Sequence, residues 1–406
     1  MKILQINAIY GINSTGRTTK ELHEVLISHG IESYVAAPIF VGNFDNNHFH
    51  IIGNKFDRKV HALLSRVMGK QGYYSIAPTR ELIKWISNNN PDVVHLRNLH
   101  SNYINIRMLL AYLAENNIGT VITLHDCWFY TGKCVFYTEH NCDRWKYGCE
   151  KCPGLKSGNI SWFFDKSSEM LKTKNKLFSS IRRLAVVGVS KWVSDECKIS
   201  ILKNADINTY VYNWINHKIF YPRKTDLRKK LLPKEYDYMI LAVASKWNKA
   251  KGLYDLISSA KRCSNNVLFV LVGDIDEKNL QLPPNMINVG SVCDENELAE
   301  YYSAADIFIH LSIQETFGKV TAEALSCGTP VIAYNSTASP ELVTEDTGYL
   351  VEVGDIEGVR NAINFVLDKG KDAFTDNCVS FARDKFDITK NAERYIDIYE
   401  TLIKRN

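Results

Sequence analysis

The chain has 406 residues, 45% of them hydrophobic and 23% charged, with a formal net charge of +4 at pH 7. That length predicts two to three domains with substantial cores, and the composition is that of an ordinary soluble globular protein. So small a charge excludes nucleic acid as an expected partner. No run of eighteen apolar residues occurs, which argues against a transmembrane helix.

The opening Met-Lys-Ile-Leu-Gln-Ile-Asn has no long apolar stretch and reads as a first strand, not a signal peptide, so a cytoplasmic location is expected. Short apolar strands then alternate with helical spacing. The strands expected in the first half are Lys2–Asn7, Ser33–Ala37, Val93–Leu96, Val121–His125, Ala185–Val189 and Tyr210–Trp214. The series restarts with Tyr238–Ala244, Val267–Gly273, Ile287–Gly290, Ile307–Leu311, Pro330–Tyr334 and Gly348–Val351. Two such series predict an α/β chain of two doubly wound, mostly parallel domains. The Pro-bounded, charged stretch from Tyr221 to Lys234 reads as the connection, giving a first domain over 1–220 and a second over 221–388. A terminal helix over 389–406 completes the chain.

The turn Gly11–Arg17 opens a helix that Ser14 or Thr15 is placed to cap, and Gly16 leaves room for a diphosphate at the helix start. It lacks G-x-G-x-x-G, which disfavours a dinucleotide. Phe56–Lys70 puts Val60, Leu63, Leu64, Val67 and Met68 on one face, flanked by Arg58, Lys59, Arg66 and Lys70. Such a helix either packs that face on its domain or lies on an anionic membrane surface. His125 ends a strand and is expected at the sheet's carboxyl edge, with Asp126 either orienting its ring or capping the next segment.

Ten cysteines with no secretion signal suggest reduced thiols or a metal site, not disulfides. Cys134, Cys142, Cys149 and Cys152 fall in a Cys-rich insertion over 127–155. Their count and closing C-x-x-C fit either a structural zinc or a set of reduced thiols. Farther on, the loop Ser245–Gly252 carries Lys246, Lys249 and Lys251, ammoniums suited to a departing phosphate.

The stretch from Asp306 to Gly348 is a strand–loop–helix–strand unit with Glu315 at the strand's carboxyl end and Glu323 eight positions on. Alone, that pair is within chance and fits two surface glutamates. Its company is Ala305-Asp306, Glu315-Thr316-Phe317-Gly318, Glu323-Ala324-Leu325, Cys327-Gly328-Thr329-Pro330-Val331 and Glu341-Leu342-Val343, in order. With these the segment resembles the nucleotide-binding half of retaining glycosyltransferases of family 4, which have the GT-B fold.

The resemblance covers the second half well and the first at scattered points. It implies two Rossmann-like domains facing across a cleft, with the last helix crossing back to the first domain. It implies transfer of a sugar from a UDP- or GDP-sugar to a glycan or lipid-linked acceptor hydroxyl, with retention and without a catalytic metal or cofactor. His125 would lie near sugar and acceptor, and Lys251 and the helix after Gly16 would hold the diphosphate. Glu315 would take sugar hydroxyls, the Phe317-Gly318 loop sugar or phosphate, Glu323 the ribose, and Val292 with its neighbours the base. Ser245 stands where the family commonly has Arg, with Lys246 adjacent as a point-charge substitute. The implied setting is bacterial surface polysaccharide assembly at the inner face of the plasma membrane. An epimerase on the same fold and a non-catalytic nucleotide-sugar-binding subunit stay open as alternatives.

Overall fold

The structure, a computed structural model, describes residues 1–42, 47–277 and 280–405. It divides into two compact units, Met1–Tyr212 with Thr389–Asn406, and Asn213–Ile388. The first begins β1 (Lys2–Ile6), α1 (Asn13–Ser28), β2 (Glu32–Ala37), β3 (Phe49–Ile51), α2 (Lys55–Met68) and α3 (Ile76–Asn89). It continues β4 (Val93–Leu96), α4 (Ile106–Glu115), β5 (Gly119–Leu124), α5 (Ser167–Ser180), β6 (Leu184–Gly188), α6 (Lys191–Lys198) and β7 (Ile207–Tyr210). The second holds α7 (Leu227–Leu231), β8 (Tyr238–Trp247), α8 (Leu253–Ala260), β9 (Val267–Ile275), β10 (Met286–Asn288) and α9 (Glu295–Ala304). After these come β11 (Ile307–His310), α10 (Lys319–Ser326), β12 (Val331–Tyr334), β13 (Gly348–Val351), α11 (Ile356–Lys369) and α12 (Asp372–Lys385), and then α13 (Ile388–Lys404), which belongs to the first unit.

Each unit is built on one parallel sheet, in the orders β3-β2-β1-β4-β5-β6-β7 and β10-β9-β8-β11-β12-β13. The central strands are buried throughout, as at Ile307–His310 and Val331–Tyr334, and apolar but for the His310 that ends β11, as expected where helices cover both faces. Both sheets are doubly wound, and their order reverses at β1/β4 and at β8/β11. Ligands of such sheets bind outside the strand ends at those reversals.

The units divide at Tyr212/Asn213, ahead of the expected 220/221. Ile215 N already donates to Phe386 O at 2.9 Å, and Phe220 packs edge-on against Tyr302. The expected strand Tyr210–Trp214 is displaced for the same reason: β7 ends at Tyr210, and the buried Trp214 belongs to the second unit. α13 turns Tyr395, Ile398, Tyr399 and Leu402 inward at helical spacing, onto the first unit's sheet. There the Tyr399 hydroxyl is hydrogen-bonded to His95 Nδ1 (2.7 Å) and that of Tyr395 to Thr123 Oγ1 (2.9 Å).

α2 is inverted relative to an ordinary surface helix. A complete capping box starts it, Asn54 accepting from Phe56 N and Asp57 N while Asp57 accepts from Asn54 N. It buries His61 and Ser65. Phe56, Val60, Leu63, Leu64 and Met68 are exposed, so the apolar face is not the one packed on the domain.

Candidate functional site

At the β8/β11 reversal two loops are stitched together. Asn248 caps the turn after β8, its Oδ1 accepting from Lys251 N at 3.0 Å. Gly252 then adopts φ +75°, and a Cβ there would stand 2.2 Å from Leu311 O, so only glycine lets this turn lie against the end of β11. Ile313 N donates to Ala250 O across the seam at 3.0 Å. This close approach brings Lys251 Nζ to 2.5 Å from Glu315 Oε1. His310, the last residue of β11, sets Nε2 at 3.1 Å from the same oxygen, and Glu315 N donates to Thr337 Oγ1 at 2.9 Å. Burial works to raise the Glu315 pKa. The Lys251 charge and the His310 contact outweigh it and hold the carboxyl well below its usual range. Glu315 is therefore an ionised acceptor at every working pH.

α10 begins at Gly318, which takes a left-handed φ of +89°, and no side chain caps this helix. Its first N–H groups thus face the loop that carries Glu315, the polarity expected of an anion cradle. Glu323, on the next turn, is buried and accepts from the Tyr302 hydroxyl at 3.0 Å. The Phe317 ring is buried edge-on against Phe386 at 5.4 Å. Lys246 is not part of this cluster: it is exposed and pairs with Asp276 just past β9. Val292 is half-buried beyond β10, just after Gly290, whose carbonyl accepts from Gly273 N at 2.7 Å.

In the first unit Asn7 bridges the β1/β4 reversal, its Oδ1 accepting from Ala8 N and from Asn98 N while Nδ2 reaches Thr19 Oγ1. Gly16 lies inside α1, a turn past its start, against Ile9 and Gly11. Ser14 and Thr15 do not cap α1. Ile12 holds the cap position without a side-chain bond, and the Ser14 and Thr15 carbonyls accept from Thr18 and Thr19. His125 comes directly after β5 and accepts at Nε2 from Arg97 Nη1 at 3.2 Å. Burial and the Arg97 charge push its pKa down to about 3, so the ring is neutral, with its proton on Nδ1. Asp126 does not orient that ring. It pairs with His100 Nε2 at 2.8 Å and caps the next turn through Trp128 N. Arg97 is fully buried, and its Nε and Nη2 have no hydrogen-bond partner among the described residues.

Arg97, Asn7 and His310 were not singled out from the sequence. Each ends or just succeeds a strand at a sheet reversal, the one position signal that would have found them. Cys134, Cys142, Cys149 and Cys152 line a single small cavity in the insertion after β5. As placed, no three His, Cys, Asp or Glu side chains among the described residues are gathered closely enough to hold a metal ion.

Two family profiles match the chain: "Glycosyl transferases group 1" over residues 223–384 and "Glycosyltransferase Family 4" over residues 15–159. The chain is 27% identical to N-acetyl-alpha-D-glucosaminyl L-malate synthase of Bacillus anthracis, over 81% of this chain and 78% of that one. It is 23% identical to the putative colanic acid biosynthesis glycosyl transferase WcaC of Escherichia coli K12, over 88% of each. Among solved structures it is similar to Anabaena Alr3699/HepE in complex with UDP and glucose, with a TM-score of 0.65 and 18% identity over 99% of this chain and 100% of that one.

Proposed function

Because the chain belongs to the group 1, family 4 glycosyltransferases of the GT-B fold, we propose that it transfers a sugar from a nucleotide-sugar donor to a hydroxyl of a glycan or lipid-linked acceptor, with retention of configuration. The Lys251–Glu315–His310 cluster at the β8/β11 reversal carries this reading. A donor diphosphate would draw the Lys251 ammonium to itself, releasing Glu315 to accept from sugar hydroxyls while His310 stays on the carboxylate. The amides at the start of α10 would take phosphate oxygens. Glu323, held by Tyr302, would accept from the ribose.

Bond making and breaking share one face of the sugar. The acceptor oxygen bonds to the anomeric carbon as the bond to the diphosphate oxygen breaks, and the acceptor proton passes to the departing phosphate. Lys251 stabilises the charge that develops there, and losing one such donor costs about 3–4 kcal/mol of barrier. Neutral His125 and the unpartnered Nε and Nη2 of Arg97 equip the first unit to hold the acceptor. No catalytic metal is needed in this scheme. The colanic acid relative supports surface polysaccharide assembly as the setting, and the complex with UDP and glucose supports a UDP-sugar donor.

A peripheral position on the anionic inner face of the plasma membrane is part of the same proposal. No helix among the described residues is long and apolar enough to cross a membrane. The exposed apolar face of α2 is instead continued by Ile160, Trp162, Phe163 and Phe164. Trp162 N donates to Arg66 O at 2.7 Å, so the two segments form one patch. Arg58, Lys59 and Arg66 supply its positive charge, whereas Lys70 is paired with Glu169.

A thermal-shift screen with UDP-, GDP- and ADP-sugars tests the enzymatic reading, with product analysis of any donor that binds. One donor should stabilise the protein, and Lys251→Met should lower its turnover by about 10²–10³-fold. Stabilisation by none of the three defeats the proposal, and turnover without an acceptor replaces it with an epimerase.

A further inference from the structure

Between the end of β5 and the start of α5, residues 125–166 contain no strand and no helix beyond two 3-10 turns, Thr138–His140 and Arg144–Lys146. A loop of that length normally needs a function or a crosslink to hold one conformation. Four cysteines face one cavity at its centre, and none is in a disulfide. We propose that Cys134, Cys142, Cys149 and Cys152 bind one structural zinc ion as a closed tetrathiolate site.

Three independent features of the loop fit a metal-bound state. The first is the shape of the Cys149-Glu150-Lys151-Cys152 turn. Cys149 and Lys151 both adopt left-handed backbone, at φ +52° and +49°, a conformation that non-glycine residues keep only when their surroundings impose it. Here a set of hydrogen bonds imposes it: Arg144 O accepts from Gly148 N and Cys149 N, and the Arg144 guanidinium holds the carbonyls of Glu150 and Lys151. Ser167 Oγ donates to Cys149 O, and Cys152 N donates to Asp165. The turn is pre-shaped before any ligand arrives.

The second feature is the set of donors on the sulfurs. Gly132 N donates to Cys149 Sγ at 3.3 Å, and the Gly154 amide and the Cys134 thiol lie beside Cys152. Backbone N–H groups aimed at sulfur stabilise thiolates and orient them, the role of outer-shell partners at metal sites. The third is charge. Zinc on four thiolates leaves a net charge of about −2, and two lysines are buried beside the cavity, Lys133 at 3% and Lys174 at 0% exposure. Lys133 Nζ donates to the Gly154 and Leu155 carbonyls and Lys174 Nζ to those of Trp128 and Thr131. Neither ammonium has an ion-pair partner among the described residues, although buried lysines normally require one. A tetrathiolate centre supplies it.

The sulfurs as placed are not yet at ligand distances, so binding would draw Cys142 and Cys149 toward the Cys134–Cys152 pair and release the thiol protons. The full-length protein, purified without a metal affinity resin or chelator, is the material for the test. Elemental analysis should find about one zinc per chain, and Co²⁺ exchanged into the site should show the thiolate charge-transfer and tetrahedral ligand-field bands of a four-sulfur site. Cys149→Ser should lose the metal, whereas Cys293→Ser, an exposed cysteine outside the loop, should keep it. The metal content of the unaltered protein decides the matter even if the loop variant fails to fold. Zinc below about a tenth per chain, with none taken up on reconstitution under reducing conditions, overturns the proposal. So does a Cys134–Cys152 disulfide in protein made in a reducing cytoplasm. Either result leaves the glycosyl-transfer reading untouched.

Discussion

Charge at single residues is set by what the fold places beside them. Glu315 stays ionised because an ammonium and an imidazole share one of its oxygens, whereas His23 and His61 stay neutral because nothing compensates their burial. His61 donates from Nδ1 to Ser75 Oγ and accepts at Nε2 from Gly72 N. Burial pushes its pKa down to about 4, and burial with the His48 charge does the same for His23. Folded values lie below the unfolded value of about 6.5, so the unfolded chain binds more protons between the two. The stability these rings contribute is complete above about pH 6.5 and is lost as pH falls toward about 4. His125, also held well below its unfolded value, adds to the same slope, so urea unfolding monitored from about pH 7.5 to about pH 5 should lose more than about 2–3 kcal/mol per pH unit at its steepest, and His61→Gln should lessen that slope by about 1 kcal/mol per pH unit. A flat profile over this range would show that the two imidazoles titrate normally.

At the scale of elements, Gly252 decides whether the β8 and β11 loops meet. Gly252→Ala combines a left-handed φ with a Cβ 2.2 Å from a backbone oxygen, so the turn must move and take Lys251 with it. A loss of about 2–3 kcal/mol in denaturation and a loss of donor binding are expected. Gly354→Ala is the control, because it has φ +83° but open space around the new methyl, and should cost about 1 kcal/mol without touching the donor. Equal effects of the two would place the cost in the backbone angle alone. The strands were readable from sequence because buried parallel strands are near-continuous apolar runs, as at Val331–Tyr334. Tyr210–Trp214 was misplaced because its apolar residues serve a connection, and apolarity does not say which unit buries them. Glu315 and Lys251 were singled out through the motifs around them, but their ion pair and Arg97's contact with His125 join residues 64 and 28 positions apart. Pairings of that kind depend on strand order, which local pattern does not carry.

For the molecule as a whole, the exposed patch of α2 and Trp162–Phe164 sets a prediction about where it resides. Sedimentation with vesicles rich in phosphatidylglycerol should carry the protein down, and vesicles of phosphatidylcholine alone should not. Raising salt should weaken the binding, since about 1 kcal/mol per basic residue is screened. Trp162→Ala with Phe163→Ala should abolish binding without altering the donor-induced thermal shift. Retained binding by that variant would remove the patch from the reading.

The docking of α13 has a consequence for how the chain is made. His95 and Thr123 find their hydroxyl partners 304 and 272 residues later, on a helix that closes the sheet they belong to. A ribosome adding about 5–20 residues per second takes roughly 15–60 s to cover that interval. Throughout it the nascent first unit carries an imidazole and a strand hydroxyl with no tyrosine to meet them, on a sheet face that α13 has yet to cover. The first unit is thus begun first and completed last, its sheet closed only by the chain's final helix.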